Sequence, residues 1–143
     1  MTVRTILDAK GRDVVTIAAD ETLASAAERL VARRIGALVV TADNGRIAGI
    51  LSERDIVRAI VADGPGALER PVSAVMTRDV SVCRENHTVN EVMQIMTQGR
   101  FRHLPVEKDG KLAGIISIGD VVKKRIEDVE REAEEIRTYI ATA

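Results

Sequence analysis

The 143-residue chain has one cysteine, Cys83, so it forms no internal disulfide and carries no Cys-rich metal site. Tryptophan is absent and the aromatics are Phe101 and Tyr139 alone, which all but excludes a stacking platform for single-stranded nucleic acid. Neither sign of charge dominates. Lys and Arg total 21 and Asp and Glu 22, a net charge of −1, so no overall field draws in nucleic acid or an acidic membrane. The apolar runs are short and broken by charge, far below the ~20 residues of a membrane span. The first residues, Met1 to Asp8, lack a signal-peptide core, and the chain reads as soluble and cytoplasmic. His87 and His103, the only histidines, lack Cys or carboxylate companions at zinc-ligand spacing, so no metal is expected. No nucleophile–base set, paired-carboxylate cleft or P-loop stands out, which argues against an enzyme. What remains, 45% hydrophobic and 30% charged, is the mix of an ordinary folded protein.

The chain repeats itself. At an offset of 66, Arg12-Asp13-Val14 falls on Arg78-Asp79-Val80, Thr22 on Thr88, Arg34 on Arg100 and Leu38 on Leu104. After a one-residue deletion the offset is 65: Ala48-Gly49-Ile50 meets Ala113-Gly114-Ile115, Ser52 meets Ser117 and Asp55 meets Asp120. This is an internal duplication. Two copies cannot stack as an open solenoid, and either copy alone holds a marginal core, so the expectation is two copies closing on one joint core.

Both copies share one grammar. A short apolar strand (Val14-Val15-Thr16-Ile17; Val80-Ser81-Val82-Cys83) precedes a helix capped by Thr22 or by the Thr88/Glu91 capping box. Gly99 is expected to close the second of these helices. Two strands follow, joined at Asp43-Asn44-Gly45 and at Lys108-Asp109-Gly110, strong hairpin signals. Pro105 has no amide hydrogen and is expected at a strand edge or start. A second helix begins after Ser52 and after Ser117, and the stretch from Asp63 to Pro71 links the copies.

This β-α-β-β-α grammar, with Gly-Ile-Leu-Ser-Glu-Arg-Asp at 49–55 and Gly-Ile-Ile-Ser-Ile-Gly-Asp at 114–120, resembles a tandem pair of CBS domains, a Bateman module. Val72-Ser73-Ala74-Val75-Met76-Thr77 and Phe101-Arg102-His103-Leu104-Pro105-Val106 carry the same resemblance, which spans roughly residues 2–126 and is closest in kind to the stand-alone bacterial two-repeat proteins. It implies an α/β (α+β) fold with the repeats related by a pseudo-two-fold axis. The segments are 1–66 for repeat 1 with its leading segment, 67–126 for repeat 2, and 127–143 for a helical extension. It further implies a non-catalytic regulatory module that binds AMP, ADP, ATP, NAD(H) or S-adenosylmethionine in clefts between the repeats. Such modules commonly pair into a homodimer and act on a regulated protein; neither nucleic acid nor membrane is an expected partner. The alternative is a dimeric interaction scaffold with vestigial clefts.

The residues allow a finer reading. Ser52 with Asp55, and Ser117 with Asp120, stand at strand-to-helix junctions, where free N–H groups favour an anion. A carboxylate there suits a ribose diol, and the same pattern is equally a plain helix cap. Arg54 could hold a phosphate through its planar fork; in copy two Gly119 stands in its place, so the clefts are not equivalent. The resemblance implies that Thr16, Ile17, Val82 and Cys83 hold adenine along the first strands. It also implies phosphate contacts from Arg100, Arg102 and His103, which as plain chemistry are solvated helix-end cations. Cys83 reads as a small buried apolar group.

Past the second copy no Gly or Pro interrupts Asp120 to Ile140. Val122, Ile126, Val129, Ala133, Ile136 and Ile140 recur in steps of four and three, a heptad-like seam. It either pairs in a homodimer or docks a partner, or it folds back on its own domain.

Overall fold

The computed structural model describes residues 1–142; Ala143, the last residue of the tail, lies outside the described residues. Repeat 1 contains β1 (Thr16–Ile17), α2 (Leu23–Arg33), β2 (Ala37–Thr41), β3 (Ile47–Ser52) and α3 (Glu53–Asp63), preceded by α1 (Val3–Lys10). Repeat 2 contains α4 (Val89–Gly99), β4 (His103–Lys108), β5 (Lys111–Ser117) and α5 (Ile118–Thr142). This is the expected α/β architecture with its C-terminal helix. The stretch between the copies is not plain linker: Pro65–Glu69 and Val72–Ala74 form 3-10 turns.

The caps form as the sequence dictates. Thr22 Oγ1 accepts from Ser25 N, and Thr88 and Glu91 close a reciprocal capping box. The helix ends differ from expectation. Gly99 is the last helical residue, and Arg100 takes the left-handed position at φ 57°, matched by Arg34 at φ 54° in repeat 1. Gly99 serves instead as a platform, because a Cβ there would overlap the Phe101 ring. The second hairpin turns through Asp109 and Gly110, both at positive φ, the geometry that matches strand twist.

The sheets are unequal. β1 runs parallel to β2, which runs antiparallel to β3; β4 and β5 pair alone. The strand expected at 80–83 shrinks to one bridge between Cys83 and Val106. Pro105 is the reason. Its carbonyl accepts from Cys83 N at 3.0 Å, so the same edge should offer an N–H that proline lacks. Val39 stands at the equivalent position of β2 and pairs with Thr16.

The apolar residues form two clusters rather than the single joint core expected. One is built on Ile17, Leu23, Leu30, Leu38, Val40 and Leu51, the other on Cys83, Val92, Met96, Leu104, Val106 and Ile116. Each cluster is closed by the leading segment of the other repeat. Val72 and Met76 belong to the first cluster, and Val3, Ile6 and Leu7 of α1 to the second. The backbone repeats the exchange: Val72 N donates to Glu21 O, and Val3 N donates to His87 O. The duplicated glycines make room for it. A Cβ on Gly49 would lie 2.8 Å from Met76 Sδ, and one on Gly114 3.0 Å from a Leu7 methyl.

Candidate functional site

The start of α3 and the α4–β4 turn face each other across a cleft of about 300 Å3. On the repeat 1 side, Ser52 ends β3 and caps α3. Asp55 Oδ2 accepts from Ser52 N at 2.9 Å, and Asp55 N donates to Ser52 Oγ at 3.2 Å. Arg58, one turn on, reaches Asp55 Oδ1 at 3.3 Å. The cap reading of Ser-x-x-Asp is therefore realised. It leaves room for the other reading, because a carboxylate has about four lone-pair sites and the cap uses one.

On the repeat 2 side, Arg100, Phe101, Arg102 and His103 line the cleft. The left-handed turn at Arg100 carries the chain off α4 directly into β4, so these four side chains follow one another along the wall. Arg54, Arg58, Arg100 and Arg102 thus face Glu53 and Asp55: four guanidiniums against two carboxylates, an anion-selective balance. His103 is half-buried. Burial and then Lys10 push its pKa below the ordinary histidine value, against the opposing pull of Asp120 and Glu53. It stands close to Gly36, whose Cβ would lie 3.4 Å from His103 Cε1.

The cleft unites Ser52, Arg54, Asp55, Arg100, Arg102 and His103 of the sequence-assigned residues. It adds Gly36, Glu53, Arg58 and Thr77, which sequence reasoning missed; the repeat offset alone could have paired Gly36 with Arg102. Thr16, Ile17, Val82 and Cys83 do not line it. Ile17 and Cys83 are buried in opposite clusters, and Thr16 and Val82 are half-buried. Burial pushes the Cys83 thiol up to about 12.

Ser117 and Asp120 occupy the equivalent junction of repeat 2. Ser117 N donates to Asp120 Oδ2 at 2.8 Å and Asp120 N to Ser117 Oγ at 3.1 Å, the same cap again. Here α1 intrudes: Lys10 Nζ lies 2.7 Å from Asp120 Oδ2 and 3.0 Å from the Ile115 carbonyl. Burial raises the Asp120 carboxyl, but Lys10 and the Ser117 N–H outweigh it and hold the group below the usual carboxylate value. Asp120, Lys10 and Lys123 border a hollow of about 230 Å3 between α1 and α5.

Among the described residues no group of three or more His, Cys, Asp or Glu side chains could hold a metal ion. No described helix is long and apolar enough to cross a membrane.

The profile of the CBS domain matches residues 4–62 and again 72–127. The CBS domain-containing protein CBSCBSPB1 of Arabidopsis thaliana is 33% identical over 138 residues; the match takes in 96% of this chain and 25% of that protein, so the chain spans about a quarter of that relative. Among solved structures, the CBS-domain containing protein ATU1752 from Agrobacterium tumefaciens is 52% identical, with a TM-score of 0.84 over 87% of this chain and 99% of that one. The CBS domain pair of protein MJ0100, solved in complex with 5′-methylthioadenosine and S-adenosyl-L-methionine, shares the fold at a TM-score of 0.80 and 22% identity, over 90% of this chain and 98% of that one. Two profile matches on the two halves of one duplication, and a fold shared over 87% of the chain, mean that the chain belongs to the CBS-domain family.

Proposed function

We propose that the chain is a regulatory module that binds an adenosine-type ligand in the cleft between its repeats and signals by changing shape or assembly, without catalysing a reaction. One observation carries this reading: Asp55 and four guanidiniums from both repeats converge on one cleft. The Asp55 carboxylate accepts the 2′- and 3′-hydroxyls of a ribose through its free lone pairs. Arg54, Arg100 and Arg102 take the phosphates, for which planar guanidinium forks are suited. Ala37, Ile50 and Phe101 offer the apolar wall for the base. AMP, ADP, ATP and NAD(H) all present this combination. The adenosine-containing ligands of protein MJ0100 support the ligand class. A ligand that bridges both repeats shifts their arrangement to the extent that it prefers one arrangement over another.

The test is thermal melting with AMP, ATP, NAD(H) and S-adenosylmethionine. A true ligand at a hundredfold excess over Kd stabilises the folded state by about 2.7 kcal/mol. Asp55→Asn and, separately, 2′,3′-dideoxy-AMP should each weaken binding about tenfold or more, the worth of a charge-assisted hydrogen bond. Flat melts with every adenosine ligand would leave the scaffold reading in place. Dideoxy-AMP binding as tightly as AMP would reduce Asp55 to a helix cap.

A second reading rests on exposed apolar surface. Val31, Val57 and Val61 stand out on α2 and α3, and Ile126, Val129, Ile136 and Ile140 on α5. These faces support a homodimer, and with it a module that passes its state to a regulated protein through assembly.

A further inference from the structure

The two Ser-x-x-Asp junctions agree to within 0.1 Å in both cap hydrogen bonds, yet their surroundings differ. In repeat 1 the outer edge of β3 is completed by backbone: Ile50 N donates to Thr77 O and Thr77 N to Ile50 O, at 3.0 and 2.9 Å. In repeat 2 the corresponding carbonyl, Ile115 O, is met by the Lys10 ammonium, which also grips Asp120. Lys10 belongs to the stretch 9–11, which has no counterpart where Thr77 runs straight into Arg78. Among the described residues Asp55 meets a cation from its own helix alone, the largely exposed Arg58, and on the oxygen the cap leaves free. Asp120 meets one from the far end of the chain.

We propose a second ligand cleft at the Ser117–Asp120 junction, where Lys10 is an internal stand-in for ligand, so that this cleft admits phosphorylated adenosines and rejects neutral ones. The inference rests on the ribose reading of Asp120. A neutral adenosine that places its diol on Asp120 breaks a charge-assisted contact and returns no counter-charge to the ammonium. A phosphorylated ligand returns one, and the flexible four-carbon stem lets Lys10 swing from Asp120 to the phosphate. The other cations available there are few. Gly119 replaces Arg54 and Gly36 replaces Arg102, while Arg34 is the counterpart of Arg100 and Lys123 follows Asp120 as Arg58 follows Asp55. Among the described residues Lys10 is the cation that contacts Asp120, so discrimination against the neutral nucleoside falls on it. The first cleft, with its four guanidiniums, holds no such internal competitor on Asp55 from a leading segment.

The test titrates adenosine and AMP into the uniformly 15N-labelled full chain. The Gly119 amide reports the second cleft and the equivalent Arg54 amide the first. In the wild type AMP should outbind adenosine at Gly119 by about tenfold or more, the worth of one charge-assisted contact. Lys10→Met should bring the two ligands to near parity by strengthening adenosine and weakening AMP, while the response at Arg54 is unchanged. Lys10→Arg keeps the charge and should restore the preference. If Lys10→Met leaves the preference intact while Asp120→Asn still weakens both ligands, Lys10 is only a strut between α1 and β5; the ribose reading then stands and the gate is overturned. If neither ligand moves Gly119 in the wild type or in Lys10→Met, the ribose reading of Asp120 falls and takes the gate with it.

Discussion

His103 lines the cleft while feeling Lys10 and Asp120 at the repeat 2 junction. The charged groups acting on it are Glu53 of α3, Arg102 beside it, Lys10 of α1 and Asp120 of α5, and with burial their balance lowers its pKa. At neutral pH it therefore lines the cleft as a neutral imidazole rather than as a charge. The same shift makes stability depend on pH. The unfolded chain takes up a proton near the ordinary value of 6.5, the folded chain resists it until lower pH, and so stability falls as pH drops below 6.5. Urea unfolding at pH 7.5 and pH 5.5 should show this loss, and His103→Gln should remove part of it; an equal loss in the variant would put the effect elsewhere. Residue by residue, the duplication and the Ser-x-x-Asp pattern made the places of Ser52, Asp55 and Arg100 at the cleft legible, and Asp120 as a helix cap. Glu53 and Arg58 were not, because on α3 beside Asp55 they read as ordinary charged helix positions; Thr77 and Gly36 were not, because their place at the cleft comes from how the repeats pack. Lys10 was hidden for a sharper reason: it sits in a three-residue stretch that the second copy lacks, where comparison of the copies has nothing to say.

α5 is the element whose sequence and environment disagree most. Its 25 residues span roughly 37 Å at the usual rise. Val121 and Asp128 are buried, Asp128 between Lys124 and Arg131 at 3.7 and 3.8 Å. Beyond them the seam faces outward: Ile136 is 60% exposed, Tyr139 75% and Ile140 68%. The tail does not fold back to bury these residues, and a single helix end without tertiary packing is marginal in water. A second copy of the seam would cover it. Ile136→Asp combined with Ile140→Asp should therefore lower the mass seen by light scattering and reduce helical ellipticity. Unchanged mass and ellipticity would show that the seam pairs with nothing in solution. The seam was legible because a heptad-like spacing depends on its own helix alone. α1 was not, although Val3, Ile6 and Leu7 have helical spacing, because eight residues announce little until they dock on a surface made elsewhere. The strand expected at 80–83 failed for the complementary reason: its partner β4 carries Pro105, and a strand is only as long as its neighbour's donors allow.

Across the whole molecule the reciprocal exchange of leading segments ties two clusters into one folding problem. α1 closes the second cluster, residues 72–76 close the first, and each docks over a glycine placed for it. Neither repeat can lose its partner without opening its own core. Leu7 is fully buried far from the residues it protects in sequence, so Leu7→Ala should cost about 2–5 kcal/mol, transfer and cavity terms together. Cys83 makes the coupling measurable. It lies in the second cluster, its thiol is pushed up to about 12, and a thiol held protonated and out of solvent reacts only when that cluster opens. In a urea series, Cys83 labelling and loss of helical ellipticity should follow one transition in the wild type, and Leu7→Ala should move both to lower urea together. If the thiol became reactive at urea concentrations where most helix persists, the repeats would be opening independently. A ligand bound between them could then tighten one half without informing the other. Under the proposed function, a single coupled transition would let occupancy of the cleft between the repeats be felt along α5.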